Sequence, residues 1–328
     1  EIRMFDMTDN KEIGGYFEME ELPGEEYYPD LLRLNLGRTA LLYLLKQRGC
    51  REIFLPHYLC DSVIGACRDS GIKISFYSVN DALEPGIEEL PNGAWCYLVN
   101  YYGQLTDDRI LFYQEKYQRI IMDQTHAFYQ RPLPHVDTIY SPRKFFGLPD
   151  GAYLAADLPP AEELPPDYSA GRMEHILGRY EKGGNAYYQV MLKNAETFHT
   201  EKIRRMSRLT RNLLRGIDYS RCAEKRNENY SALDSFLGSC NPLPFRKPSV
   251  PMCYPFYAEH GPEIRKQLAL EKIYVPVYWK NVADEMPADS TEYRYAANIL
   301  PLPCDQRYTP ADMERVASAV LRLCGRTL

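Results

Sequence analysis

The chain has 328 residues, 45% of them hydrophobic and 26% charged, an ordinary globular composition that excludes wholesale disorder. Lys+Arg 39 against Asp+Glu 45 leaves a net charge of −6, which lacks the basic footprint of a nucleic-acid binder. No apolar run approaches about 18 residues, so no membrane-spanning helix is predicted.

The opening residues, Glu1-Ile2-Arg3-Met4, show no apolar core and no small-residue cleavage site, so no secretory leader is expected. The first 30 residues are acidic and aromatic and read as an arm. The turn Leu36-Gly37-Arg38-Thr39 then leads into Leu41-Leu42-Tyr43-Leu44-Leu45, apolar on most sides and therefore a buried helix, with Gly49 as its stop. Strands are predicted at Glu52–Pro56, Ile72–Val79, Ala94–Asn100, Arg119–Asp123, Thr138–Ser141 and Gly151–Ala155. Helices are predicted at 60–70 and 107–118. Strands alternating with helices at this spacing predict an α/β fold, a mostly parallel sheet with helices on both faces. Ligands in such sheets bind beyond the carboxyl ends of the strands.

A proline-rich loop at 157–170 is followed by a long helical stretch from about 186 to 215. Its Lys202, Arg204, Arg205, Arg208, Arg211 and Arg215 read as the solvated side of an amphipathic helix. From about 217 the pattern changes to a helix, proline-punctuated strands around 252–257, a helix at 262–271, a strand at 273–278 and a final helix. That last helix opens Thr309-Pro310, a cap with Pro at the first position. Residues 1–216 are predicted to form a large domain with an N-terminal arm, and 217–328 a smaller α+β domain.

Nine cysteines with no C-x-x-C pair, and six histidines with no H-x-x-x-H, predict neither a metal site nor a redox motif. Cysteines in apolar company, such as Cys96, read as reduced core packing in a cytoplasmic protein.

Two segments carry chemistry. Met122-Asp123-Gln124-Thr125-His126-Ala127 places an acid at a strand end with His three residues later. Ser141-Pro142-Arg143-Lys144-Phe145-Phe146 places Ser and Lys three apart after another strand. Together with the Gly37 turn, their order resembles the fold type I enzymes that use pyridoxal 5′-phosphate (PLP). More narrowly it is similar to the DegT/DnrJ/StrS aminotransferases, many of which act on nucleotide-linked keto-sugars. Asp123–Ala127 matches the family pattern D-x-x-H-A. The spacing Ser141-x-x-Lys144 departs from the sugar-aminotransferase norm and is closer to aspartate-aminotransferase-like enzymes.

The resemblance implies a PLP-dependent aminotransferase with a large domain and a smaller C-terminal one, working as a homodimer on a small-molecule donor and acceptor. Lys144 is the implied amine that condenses with the cofactor, in an aromatic setting that disfavours its charge. Asp123 is the implied partner of the pyridine nitrogen, and His126 supports the ring hydroxyl or Asp123. Gly37, Arg38 and Thr39 offer N–H groups at a helix start to the phosphate, and Ser141 a hydroxyl. Tyr58 or Cys60 covers a ring face, and Asn185 reaches the phosphate of a neighbouring subunit. Arg143 reads as a surface or subunit-contact ion pair. Other PLP chemistry (lyase, dehydratase, racemase) on the same fold, or a binding module without catalysis, are the alternatives.

Overall fold

The structure is a computed structural model that describes residues 13–159 and 163–326. The first twelve residues of the expected arm, and with them the leader question, lie outside the described residues.

The first half builds one seven-stranded sheet. In chain order its elements are β1 (Leu32–Leu34), α1 (Gly37–Gln47), β2 (Glu52–Pro56), α2 (Asp61–Asp69), β3 (Lys73–Tyr77), β4 (Trp95–Val99), α3 (Asp107–Tyr117), β5 (Ile120–Asp123), β6 (Asp137–Tyr140) and β7 (Ala152–Ala155). The spatial order is β1-β7-β6-β5-β4-β2-β3. The pairs from β3 to β6 are parallel; β7 runs antiparallel to both β6 and β1. The parallel centre is buried: β5 and β6 are buried at every position, and β5 opens with the apolar run Ile120-Ile121-Met122 rather than an alternating pattern. The order reverses around β4, so the crevice past its carboxyl end is the topological switch point of the sheet.

The second half holds α4 (Glu174–Lys182), α5 (Tyr188–Thr197), α6 (Arg208–Arg215), α7 (Tyr219–Leu237), β8 (Tyr254–Tyr257), α8 (Gly261–Leu270), α9 (Lys280–Glu285), α10 (Thr291–Asn298), β9 (Ile299–Leu302) and α11 (Pro310–Leu323). A second core gathers Leu233, Leu237, Leu268, Leu300, Leu302 and Val320 from α7, α8, β9 and α11. Thr309 caps α11 as its sequence implies: its side chain accepts from the Asp312 N–H and the Asp312 carboxylate accepts from the Thr309 N–H.

Two sequence expectations are corrected. The stretch 186–215 is not one helix. Between α5 and α6 the chain runs extended beside β1, with the Asn35 N–H donating to the Arg204 carbonyl at 3.0 Å and the Met206 N–H to the Arg33 carbonyl at 3.2 Å. A three-residue strand leaves its outer groups to be satisfied by this passing segment. The arginines of α6 meet the acidic lead-in rather than water alone: Arg208 and Arg215 pair with Glu21 at 3.2 and 3.4 Å, and Arg211 with Glu26 at 3.6 Å. The expected strand at 273–278 is absent. The segment passes through Pro276 as a coil, because β8 already has β9 as its partner, and it enters the site described next.

Candidate active site

A cavity of about 470 Å³ opens past the carboxyl ends of the parallel strands, within the size range of small-molecule and cofactor sites. Asp123, the last residue of β5, lies at its wall and is 8% exposed. Its Oδ2 accepts from the Tyr97 hydroxyl and its Oδ1 from the Thr125 N–H, both at 2.8 Å. Burial raises the carboxyl pKa; those two bonds and the Lys144 amine oppose the shift.

His126 sits one turn further on. Its Nδ1 accepts from the Tyr102 N–H at 3.3 Å, so the neutral ring carries its hydrogen on Nε2. Burial, and then the Lys144 cation, lower its pKa to about 3. Its ring stacks on Trp279 with centroids 5.4 Å apart.

Lys144 comes from the segment after β6. Pro142 at the first position presets a single 3₁₀ turn over Pro142–Lys144. The next residues, Phe145 and Phe146, are buried and anchor that turn. The Phe145 carbonyl accepts from Arg226 Nη2 and from Gln306 Nε2, each at 2.9 Å. Arg226, 1% exposed, thus ties the second half of the chain to the turn that carries Lys144. The lysine side chain is accessible because it projects into the open cavity, yet protein surrounds it. This desolvation lowers its pKa; Cys60 and Asp123 counteract it, and Arg143 adds to it.

At the opposite rim α1 begins. A Cβ placed on Gly37 would lie 3.9 Å from the Ser141 Cβ, so the helix start and the serine are adjacent. The first backbone bond of α1 is donated by Ala40 to the Leu36 carbonyl, which leaves the N–H groups of residues 37–39 without an intrahelical acceptor. Ser141 makes no side-chain cap for its own turn and lines the cavity.

The structure brings Gly37, Arg38, Cys60, Asp123, His126, Ser141 and Lys144 to one cavity. Tyr58 is corrected: it is 0% exposed, packed behind the wall against Trp279 with centroids 4.3 Å apart, and it does not face the cavity; Cys60 does. The Thr39 side chain does not line the cavity: its hydroxyl donates to Asn35 Oδ1 at 2.6 Å and accepts from the Leu36 N–H at 3.2 Å, holding the turn from behind, while its backbone N–H stays without an intrahelical acceptor. Asn185 lies outside its own chain's cavity, its Oδ1 accepting from the Tyr274 hydroxyl at 2.6 Å. Arg143 has no ion-pair partner among the described residues. Its guanidinium lies 4.1 Å over the Phe198 ring, and burial lowers its pKa to about 10.

Sequence reasoning missed Tyr97, Phe198, His199, Tyr278 and Trp279, which also line the cavity. Only the adjacent aromatics Tyr278-Trp279, at the end of the strand predicted for 273–278, offer a signal. Among the described residues no cluster of metal-ligating side chains occurs and no helix is long and apolar enough to cross a membrane.

No protein-family model matches the sequence, and no curated protein matches it. Solved structures do. DesV of S. venezuelae, solved in complex with a ketimine intermediate, is 17% identical with a TM-score of 0.65 over 90% of this chain and 85% of DesV. A DegT DnrJ EryC1 StrS aminotransferase from Brucella abortus is 14% identical, with a TM-score of 0.61 over 90% of this chain and 86% of its own. The sugar aminotransferase CalS13 from Micromonospora echinospora is 15% identical, with a TM-score of 0.59 over 89% and 87%. The expected fold is thereby shown: this chain has the fold of these aminotransferases.

Proposed function

We propose that the chain is a PLP-dependent aminotransferase, passing an amino group from an amino-acid donor to a keto acceptor. The observation that carries this reading is the pairing of Lys144 and Asp123 in one cavity. One presents an amine whose proton affinity is lowered; the other is a buried carboxylate held by two hydrogen bonds. The residues fit PLP: a cation-lined rim with free N–H groups suits its phosphate, and Asp123 suits its ring nitrogen. When bound, PLP supplies an electron sink for the carbon that loses a proton.

The chain's own groups do the rest. With PLP bound, Asp123 would hold the proton on the ring nitrogen, and His126 would support the ring hydroxyl or Asp123. The Gly37 and Arg38 N–H groups and the Ser141 hydroxyl hold the phosphate. Lys144 Nζ would take the proton from the donor's α-carbon and deliver it to the cofactor's former aldehyde carbon, a transfer that its lowered pKa favours at neutral pH. Trp279 and Tyr278 close the wall and exclude water.

The acceptor class proposed is a keto-sugar, nucleotide-linked, on the strength of the sugar aminotransferases that share the fold. Residues 1–216 are proposed as the cofactor domain and 217–328 as the smaller one, which contributes Tyr278 and Trp279. A homodimer is the proposed assembly. The cytoplasm is the proposed compartment, which the nine unpaired cysteines support.

Borohydride reduction of the PLP-loaded protein, followed by peptide mass mapping, is expected to place the cofactor on Lys144. Added glutamate is expected to change the absorbance of the unreduced protein, and Lys144→Ala to abolish both results. Trapping on another lysine, or on none in a loaded sample, would overturn the assignment. Bound PLP with no change on adding amino donors would favour a different PLP reaction.

A further inference from the structure

Two guanidinium nitrogens at the cavity rim, Arg143 Nε and Arg38 Nη2, are buried without any hydrogen-bond partner. A buried unpaired donor on a cation is costly, and neither arginine has a carboxylate within ion-pair distance among the described residues. Both line the same cavity as Gly37 and Ser141. Arg143 is clamped from the far side by Phe198, whose ring lies 4.1 Å from its guanidinium carbon. That stacking fixes the planar group, so its edge is directed rather than free to swing. Phe198 belongs to the segment after α5 of the same chain, and His199 beside it also faces the cavity. Two cationic donors, one of them fixed by stacking, free helix-start N–H groups and a serine hydroxyl therefore line one cavity. Guanidinium groups match phosphate geometry, which a neutral amide does less well.

We infer that Arg143, with Arg38, is the main phosphate-binding group of this cavity, closing the cup from within a single chain. The inference rests on the reading that the cavity takes PLP. It assigns to the residue before Lys144 a binding role that its sequence position did not suggest. It also accounts for the spacing Ser141-x-x-Lys144: the short 3₁₀ turn puts the arginine on the rim directly beside the lysine it precedes.

The test compares PLP with pyridoxal, which lacks the phosphate, by following absorbance on titration of the purified full chain. Wild type is expected to bind PLP far more tightly than pyridoxal. Arg143→Gln should weaken PLP by about 10- to 100-fold, the worth of a hydrogen bond to a charged group, while pyridoxal affinity stays within about twofold of wild type. Arg38→Gln should act in the same direction, and Arg143→Lys should recover part of the loss by restoring charge without the fork. Inorganic phosphate should compete with PLP in wild type and lose that ability in Arg143→Gln. Retained pyridoxal binding reports that each variant is folded. An unchanged PLP-to-pyridoxal ratio in Arg143→Gln and Arg38→Gln overturns the inference and leaves the aminotransferase reading standing. Failure of wild type to take up either compound overturns that reading, and the inference with it.

Discussion

The Tyr97 hydroxyl donates to Asp123 Oδ2 at 2.8 Å across the parallel pair β4–β5, two neighbouring strands of the sheet centre. Tyr97 is itself held by Tyr77, whose hydroxyl donates to the Tyr97 carbonyl at 2.7 Å. The bond stabilises the ionised carboxylate against the burial that raises its pKa. Asp123→Asn keeps the shape and removes the charge. It is expected to bind PLP still and to lose transamination by orders of magnitude. Tyr97→Phe removes one bond to the carboxylate and is expected to lower kcat/KM about tenfold. It should also move the acid limb of the pH profile to higher pH, since the ionised form loses a stabilising donor. Steady-state kinetics over a pH series measure both. Near-normal turnover in Asp123→Asn would show that this carboxylate is not the ring-nitrogen partner.

Much of this site was legible because strand ends are legible. The runs ending at Val99, Asp123 and Tyr140 are buried strands, and the chemistry-bearing residues follow them directly. What was not legible depends on contacts far apart in sequence. Trp279 reaches His126 from some 150 positions further along the chain, and beyond its aromatic neighbour Tyr278 nothing local marks it; its backbone, with φ of 55°, is held by packing. Arg143 looks like a surface residue from its neighbours, and only the Phe198 ring places it inside. Tyr58 carries a suitable ring two residues from Cys60, which does line the cavity, but the turn geometry sends its side chain behind the wall. The extended segment before α6 was hidden for the same kind of reason: its partner is the short strand β1, some 170 positions earlier.

His126 should leave a pH signature on stability. Its folded pKa of about 3 lies below the ordinary value of about 6.5 of an unfolded chain. Below that ordinary value the unfolded chain takes up a proton that the folded one refuses. The stability this group contributes is therefore fully present above about pH 6.5 and is lost as pH falls toward about 3, at up to about 1.4 kcal/mol per pH unit. Asp123, with its raised pKa, acts with the opposite sign: its contribution is present at low pH and lost as pH rises through the folded pKa. Urea unfolding of the cofactor-free chain at several pH values between 7.5 and 4.5, with His126→Gln alongside, isolates the histidine. The variant should show a flatter decline than wild type. Parallel curves would mean that His126 already titrates near its ordinary pKa.

Asn185 decides between two ways of completing the phosphate cup. The resemblance gives its amide to a neighbouring subunit's phosphate, whereas the Arg143 and Arg38 guanidiniums supply that function within one chain. In the structure the Asn185 side chain already has a partner, the Tyr274 hydroxyl at 2.6 Å, in an exposed setting. Losing an exposed bond of this kind costs under about 0.5 kcal/mol, which is at most about threefold in affinity. Asn185→Ala is therefore expected to keep PLP affinity within about threefold of wild type, against the much larger loss expected for Arg143→Gln. Titration of PLP into both variants at the same protein concentration makes the comparison. A loss of more than about tenfold in Asn185→Ala, with unfolding by urea unchanged, would return the phosphate to the amide of a second chain. The guanidiniums would then be supporting charges rather than the main ligands.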